Sequence, residues 1–286
     1  MKRTLPAMRR PYGLLGVMVL AAWLGTAWNS VPEAGSASES SSGMTPFAVG
    51  ERLVYHVEWD PPLWFFLLPT MEAGEATLNL TNDTESRIGK ALKIIFTARS
   101  SGILTRLARI NIDDHYEFIT NPDTFCTSSV TKRIREGKRM RDIDVQYFPE
   151  RRILHMREVD VSTSTPRVIT DKDFEDIPPC VRDLFSALYS VRKKELAAGS
   201  TFRLLVGDND KVKEVEARVE KGERILTPMG PFNTWRINTV AVLGGLFKSG
   251  GQFRIWLTAD ERKMPVKFEV KVKLGKVTGS LKELTF

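Results

Sequence analysis

From Val266 to Leu274 every second residue is apolar (Val266, Phe268, Val270, Val272, Leu274), and every residue between them is charged (Lys267, Glu269, Lys271, Lys273). Successive side chains of an extended chain point to opposite faces, so this pattern is that of a strand with one face in a core and the other in water. The same period recurs elsewhere. Leu53, Tyr55, Val57 and Trp59 oppose Arg52, His56 and Glu58, and Ala76, Leu78 and Leu80 follow. Further on come Leu92, Ile94, Phe96 and Ala98, then Ile143, Val145 and Tyr147. Turn chemistry separates the runs at Thr81-Asn82-Asp83, Glu136-Gly137-Lys138, Phe148-Pro149-Glu150, Gly207-Asp208-Asn209-Asp210 and Lys221-Gly222-Glu223. The chain therefore reads as all-β and mainly antiparallel, with about a dozen strands.

One segment breaks the period. Val181, Leu184, Phe185, Leu188 and Tyr189 recur at three and four, the spacing of an amphipathic helix, with Pro178 and Pro179 before it and Gly199 beyond its basic end. The predicted architecture is a large curved sheet or open barrel with this helix on its concave face, where Phe185 and Tyr189 serve the core.

At the N-terminus Lys2, Arg3, Arg9 and Arg10 precede an uncharged apolar stretch from Leu14 to Trp28, shorter than the ~20 residues of a membrane-spanning helix. Residues 1–28 are read as a signal peptide, with Gly25 and Ala27 as the small residues of a cleavage site; an uncleaved N-terminal anchor is the alternative. Residues 29–46, rich in Ser, Gly, Ala and Glu, bury too little to offset their ordering entropy and form a linker. Residues 47–286 then form one β-rich domain. Export places Cys126 and Cys180 in an oxidising compartment, where they either form one bridge or remain two buried thiols.

A formal net charge of +7 favours anionic partners such as lipid head groups or acidic glycans, unless it serves solubility alone. No interleaving of aromatic and basic residues points to nucleic acid. Two features stand out as candidate contact sites. Leu63, Trp64, Phe65, Phe66, Leu67 and Leu68 form an apolar run between prolines, suited to a membrane interface, to the mouth of an apolar cavity, or to covering a sheet edge. Lys132, Arg133, Arg135, Lys138, Arg139 and Arg141 crowd a hairpin about Glu136-Gly137, which is either an anion-binding cluster or a solvated surface.

Catalytic patterns are weak. Asp113-Asp114-His115 with His56 or His155 could ligate a metal only if adjacent strand residues converged, which their alternation opposes. Glu72, Glu75, Asp260 and Glu261 could form a hydrolase pair only if folding set two carboxyl groups about 5 to 10 Å apart across a cleft. The chain has no nucleophile elbow, phosphate-binding loop or dinucleotide fingerprint, and the Gly244-Gly245 and Gly250-Gly251 pairs read as backbone devices. No metal, cofactor or catalytic residue is assigned.

The region after the linker resembles the exported bacterial family of domain of unknown function 3108. The resemblance is carried by FAVGERLVY (Phe47 to Tyr55), EAGEATL (Glu72 to Leu78), ARSSG (Ala98 to Gly102), DLFSALYSVR (Asp183 to Arg192) with Gly199, GPFNTWR (Gly230 to Arg236) and WLTADERKMPV (Trp256 to Val266). It implies a secreted or periplasmic β-rich protein without a family-wide catalytic activity. The apolar loop from Asp60 to Thr70 departs from that pattern. The function expected is a non-enzymatic envelope protein that binds a lipid or other amphiphile. An adaptor without a small ligand and a cell-envelope hydrolase are the alternatives.

Overall fold

A computed structural model describes residues 46–62, 68–84, 90–102, 111–240, 253–272 and 275–286. The readings of residues 1–45 as signal and linker lie outside them. Eight strands follow one another as a meander: β1 (Arg52–Asp60), β2 (Met71–Asp83), β3 (Ala91–Ser100), β4 (Asp113–Thr120), β5 (Thr127–Glu136), β6 (Arg139–Phe148), β7 (Ile153–Asp160) and β8 (Arg167–Phe174). After the helix α1 (Leu184–Arg192) six more form a second meander: β9 (Thr201–Asp208), β10 (Lys211–Thr227), β11 (Gly230–Val240), β12 (Phe253–Thr258), β13 (Pro265–Val272) and β14 (Gly275–Thr285). All pair antiparallel, and β1 joins β14, so one fourteen-stranded sheet has β8 and β9 at its edges.

Alternation decides which face of each strand is buried. Leu53 and Tyr55, Leu78 and Leu80, Ile94, Phe118, Ile143 and Val145, Leu154, Val266 and Leu281 all enter one core. Fully burying a residue of this size contributes roughly 1.5–3 kcal/mol. At Gly279 on β14 the opposed Phe268 ring of β13 lies where a side chain would stand, so only glycine lets the ring take that place.

The helix is shorter than its periodicity predicts. Asp183 accepts from the backbone N–H groups of Phe185 and Ser186 (2.7 and 3.0 Å), which sets the first turn at Leu184 and leaves Val181 in the extended segment before it. Gly199 (φ 87°) belongs to a later turn rather than to the helix end. Phe185 packs on Phe96 and Phe118 of the first meander, and Tyr189 on Phe47 and Phe125. Ala187 and Val191 face the second meander.

The segment leading into the helix is stitched on both sides. Cys126 and Cys180 form a disulfide (Cα–Cα 5.0 Å), and Thr127 N–H donates to the Val181 carbonyl. Arg182 makes a parallel bridge with Val206, covering part of the β9 edge. At the other end of the helix Arg192, with no exposed surface, makes a two-pronged ion pair with buried Glu51 (2.6 and 2.8 Å). Tyr189 donates to the same carboxylate (3.0 Å), and Arg192 also donates to the carbonyls of Pro46 and Arg262.

Candidate functional site: a cavity between sheet and helix

Between the concave face and the first turn of α1 lies a cavity of about 320 Å³. Its walls are apolar, with Phe96, Phe118, Val57, Phe268 and Val145 from the sheet and Phe185 from the helix. Antiparallel order puts the β1–β2, β3–β4, β5–β6, β9–β10 and β13–β14 connections at one end of the sheet, and the cavity reaches that end at Gly74, Ser100, Glu136 and Asn209.

Polar groups enter this space from β4, β5, β6, the β9–β10 turn and the start of the helix. On β5, alternation places Lys132 between inward Val130 and Ile134, and its Nζ spans to the β9–β10 turn, donating to Asp208 Oδ1 (2.6 Å) and Asn209 Oδ1 (2.8 Å). Asp208 Oδ2 is buried without a hydrogen-bond partner among the described residues. Next to that turn stands Tyr147, whose hydroxyl ionisation is pushed up first by burial and then by the charges of Asp183 and Asp208.

On β4, Asp114 is inward and 2 % exposed. It accepts from Arg135 N–H (2.7 Å) and the Tyr116 hydroxyl (3.0 Å), yet burial, with Glu136 adding to it, holds its pKa above the ordinary carboxylate range. Asp183 is raised by burial as well, although its oxygens accept from the helix N–H groups and from the hydroxyls of Thr127 and Ser186.

The basic hairpin is divided between two faces. Arg133 and Arg135 lie outside with Asp142 and Asp144 (Arg133 to Asp144 3.0 Å; Arg135 to Asp142 2.8 Å). Lys132 and Arg139 line the cavity, Arg139 paired with Glu136 (2.6 Å). Arg141 bonds Glu158 and Asp160 (3.3 and 2.5 Å), while Lys138 is exposed at the tip. Five of the six cations therefore already have a carboxylate within reach.

Leu63, Trp64, Phe65, Phe66 and Leu67 lie outside the described residues; Leu68 is 43 % exposed. His56, His115 and His155 stand on β1, β4 and β7 beside Glu58, Glu117 and Asp173, and His115 faces away from its inward neighbour Asp114. Among the described residues no three metal-binding side chains converge. Glu72 and Glu75 start β2, whereas Asp260 and Glu261 occupy the β12–β13 turn at the opposite end of the sheet, so folding separates that candidate pair.

By sequence Lys132 groups with the hairpin cations; the alternation Val130-x-Lys132-x-Ile134 is the signal that sets it inward, but its partners come from a turn more than seventy positions away in the chain. Tyr147 was read as core, and nothing in its alternation distinguishes a cavity wall from a packed interior.

The family model described as "Protein of unknown function (DUF3108)" matches residues 54–282. The chain belongs to this family. The match spans the DUF3108 chain from β1 to β14, including every wall of the cavity. Among solved structures, a β-barrel-like protein of the DUF1849 family from Brucella abortus superposes with a TM-score of 0.55 at 12% identity, over 83% of this chain and 98% of that one. This likeness establishes the fold. A Bacteroides fragilis protein with a YmcC-like fold aligns over 84% of this chain and 98% of its own at 11% identity, but with a TM-score of 0.33 it supports no argument. No curated protein matches the DUF3108 chain.

Proposed function

We propose that this DUF3108 protein is exported to the cell envelope and acts there without catalysis, holding a lipid or other amphiphile between its sheet and helix. The observation that carries this reading is the apolar cavity of about 320 Å³, walled by the sheet and by Phe185 of the helix and reaching one end of the sheet. A site of this kind, largely apolar with a few convergent polar groups, is a usual form of small-molecule pocket, and its volume is at the small end of the range of roughly 300–1,000 Å³. The connection carrying Leu63 to Leu68 leaves β1 at the same end, which suits a role at the cavity mouth or against a bilayer surface. Export is supported by the basic and apolar N-terminal pattern and by the Cys126–Cys180 bridge, a form of cross-link that persists in oxidising compartments.

The test is native mass spectrometry of the full chain purified from periplasmic extract, followed by organic extraction. A discrete co-purifying amphiphile, displaced when Phe185→Trp fills the cavity, is expected. A ligand-free mass together with failure to take up any amphiphile overturns the reading. An adaptor role would then be favoured, because β8, an edge strand among the described residues, leaves Val168 and Ile169 about half exposed.

A further inference from the structure

The polar corner of the cavity is unlike a seat for an anion. Lys132 is 13% exposed and committed to Asp208, itself 13% exposed, at 2.6 Å. Two of its three N–H groups serve Asp208 and Asn209, so one donor remains. Asp208 Oδ2, buried and without a partner among the described residues, is an acceptor awaiting a donor, and an unmet buried acceptor costs about 1–3 kcal/mol. The Tyr147 hydroxyl, 9% exposed as a residue and making no hydrogen bond among the described residues, can both donate and accept.

The ion pair is neutral as a unit, the cavity-lining cations Arg139 and Arg99 are likewise held by Glu136 and Asp113 (2.6 and 2.9 Å), and the buried carboxyl groups of Asp114 and Asp183 line the same space. An incoming carboxylate or phosphate would compete with Asp208 for Lys132 and meet these acids without water to screen them. An ammonium could reach Asp208 Oδ2, but it would be desolvated beside Lys132, a like charge already holding that carboxylate. A neutral group that offers a proton to Asp208 Oδ2 and an oxygen to Lys132 or Tyr147 meets every open valence without burying a new charge.

We infer that Lys132, Asp208, Asn209 and Tyr147 form the head-group seat of the cavity, and that it selects an amphiphile with an uncharged head bearing hydroxyl or amide N–H groups, such as a monoacylglycerol. This rests on the cavity being a ligand site, as proposed above. The acyl tail then lies along Phe96, Phe118 and Phe185.

Isothermal titration of the delipidated full chain at neutral pH with 1-monodecanoylglycerol, decanoate and decylamine separates the possibilities, since the three share a chain and differ in the head. The expected order places the glyceride first, with decanoate and decylamine at least about tenfold weaker, the effect of one charge-assisted hydrogen bond or its loss. Asp208→Asn, which keeps one oxygen for Lys132 but replaces the open acceptor and removes the competing charge, is expected to bring the glyceride and decanoate affinities within about threefold. Equal or tighter binding of decanoate or decylamine by the wild type, or an unchanged preference in a folded Asp208→Asn protein, overturns the seat while leaving the cavity as a ligand site. Binding of none of the three overturns both. Should Asp208→Asn fail to fold, the wild-type ranking decides alone.

Discussion

Replacing Glu51 by Ala tests what holds the helix in the sheet. The substitution leaves the Arg192 guanidinium, 0% exposed, with carbonyl partners at Pro46 and Arg262 but no counter-charge. It also strips the Tyr189 hydroxyl of its acceptor. Removing one member of a buried ion pair costs about 3–5 kcal/mol, and an orphaned buried hydroxyl about 1–3, although the two share one carboxylate and do not add fully. An overall loss of about 4 kcal/mol is expected, a large part of the ~5–15 kcal/mol that holds a domain folded. With a urea slope of about 2.5 kcal/mol per molar, the unfolding midpoint falls by about 1.5 M at unchanged slope. The control is Glu51→Leu with Arg192→Met, which removes both charges; it is expected to recover more than half of the loss. A shift below about 0.4 M for Glu51→Ala, or a double variant no more stable than Glu51→Ala, would refute the view that charge compensation is what matters here.

Opening the Cys126–Cys180 bridge with paired Ser substitutions frees a loop spanning 54 positions and is expected to cost about 4 kcal/mol in the chain-entropy account, read as a urea midpoint. Gly279→Ala drives a methyl into the Phe268 ring, which lines the cavity; a loss of about 1–3 kcal/mol with weakened amphiphile uptake is expected, and unchanged uptake would separate that ring from the ligand. Asp114 contributes a pH dependence of known sign. Because its native pKa is raised, the folded state binds this proton more tightly than the unfolded one, so this group's contribution falls as pH rises from the ordinary value of about 3.9 through the native pKa. Asp114→Asn removes that decline, visible in urea midpoints collected from about pH 3.5 to 7.

Strands that bury one face announced themselves. Ile143, Val145 and Tyr147 alternate with polar residues, and all three face inward. Edge strand β8 did not, because with one neighbour and little buried surface it has no face to keep apolar, and Val168 and Ile169 are adjacent and both exposed. The helix was legible from its stripe, but its start was set by the Asp183 carboxylate two residues beyond Val181, a hydrogen bond that periodicity ignores. For the site, residue type misled where position informed. Lys132 belonged by composition to a cluster of six surface cations and by parity to the interior, and its pairing with Asp208 depends on a closure between meanders that no local window contains.

The adjacency of β1 and β14 has a further consequence for how the chain reaches this state. Arg52 pairs with Thr285, and the backbone at Gly50 passes beside that at Phe286, so the seam between the meanders lies in the middle of the sheet while both free edges come from mid-chain. Each meander zips through near neighbours, which is kinetically cheap, but the seam must wait for the last strand to emerge, and until then β1 offers an open edge to any other extended chain. Joining residue 286 to residue 50 through a short linker and reopening the chain between β8 and α1 would turn this most distant contact into a hairpin. All fourteen strands would then follow in spatial order, and the exposed intermediate would disappear from the route.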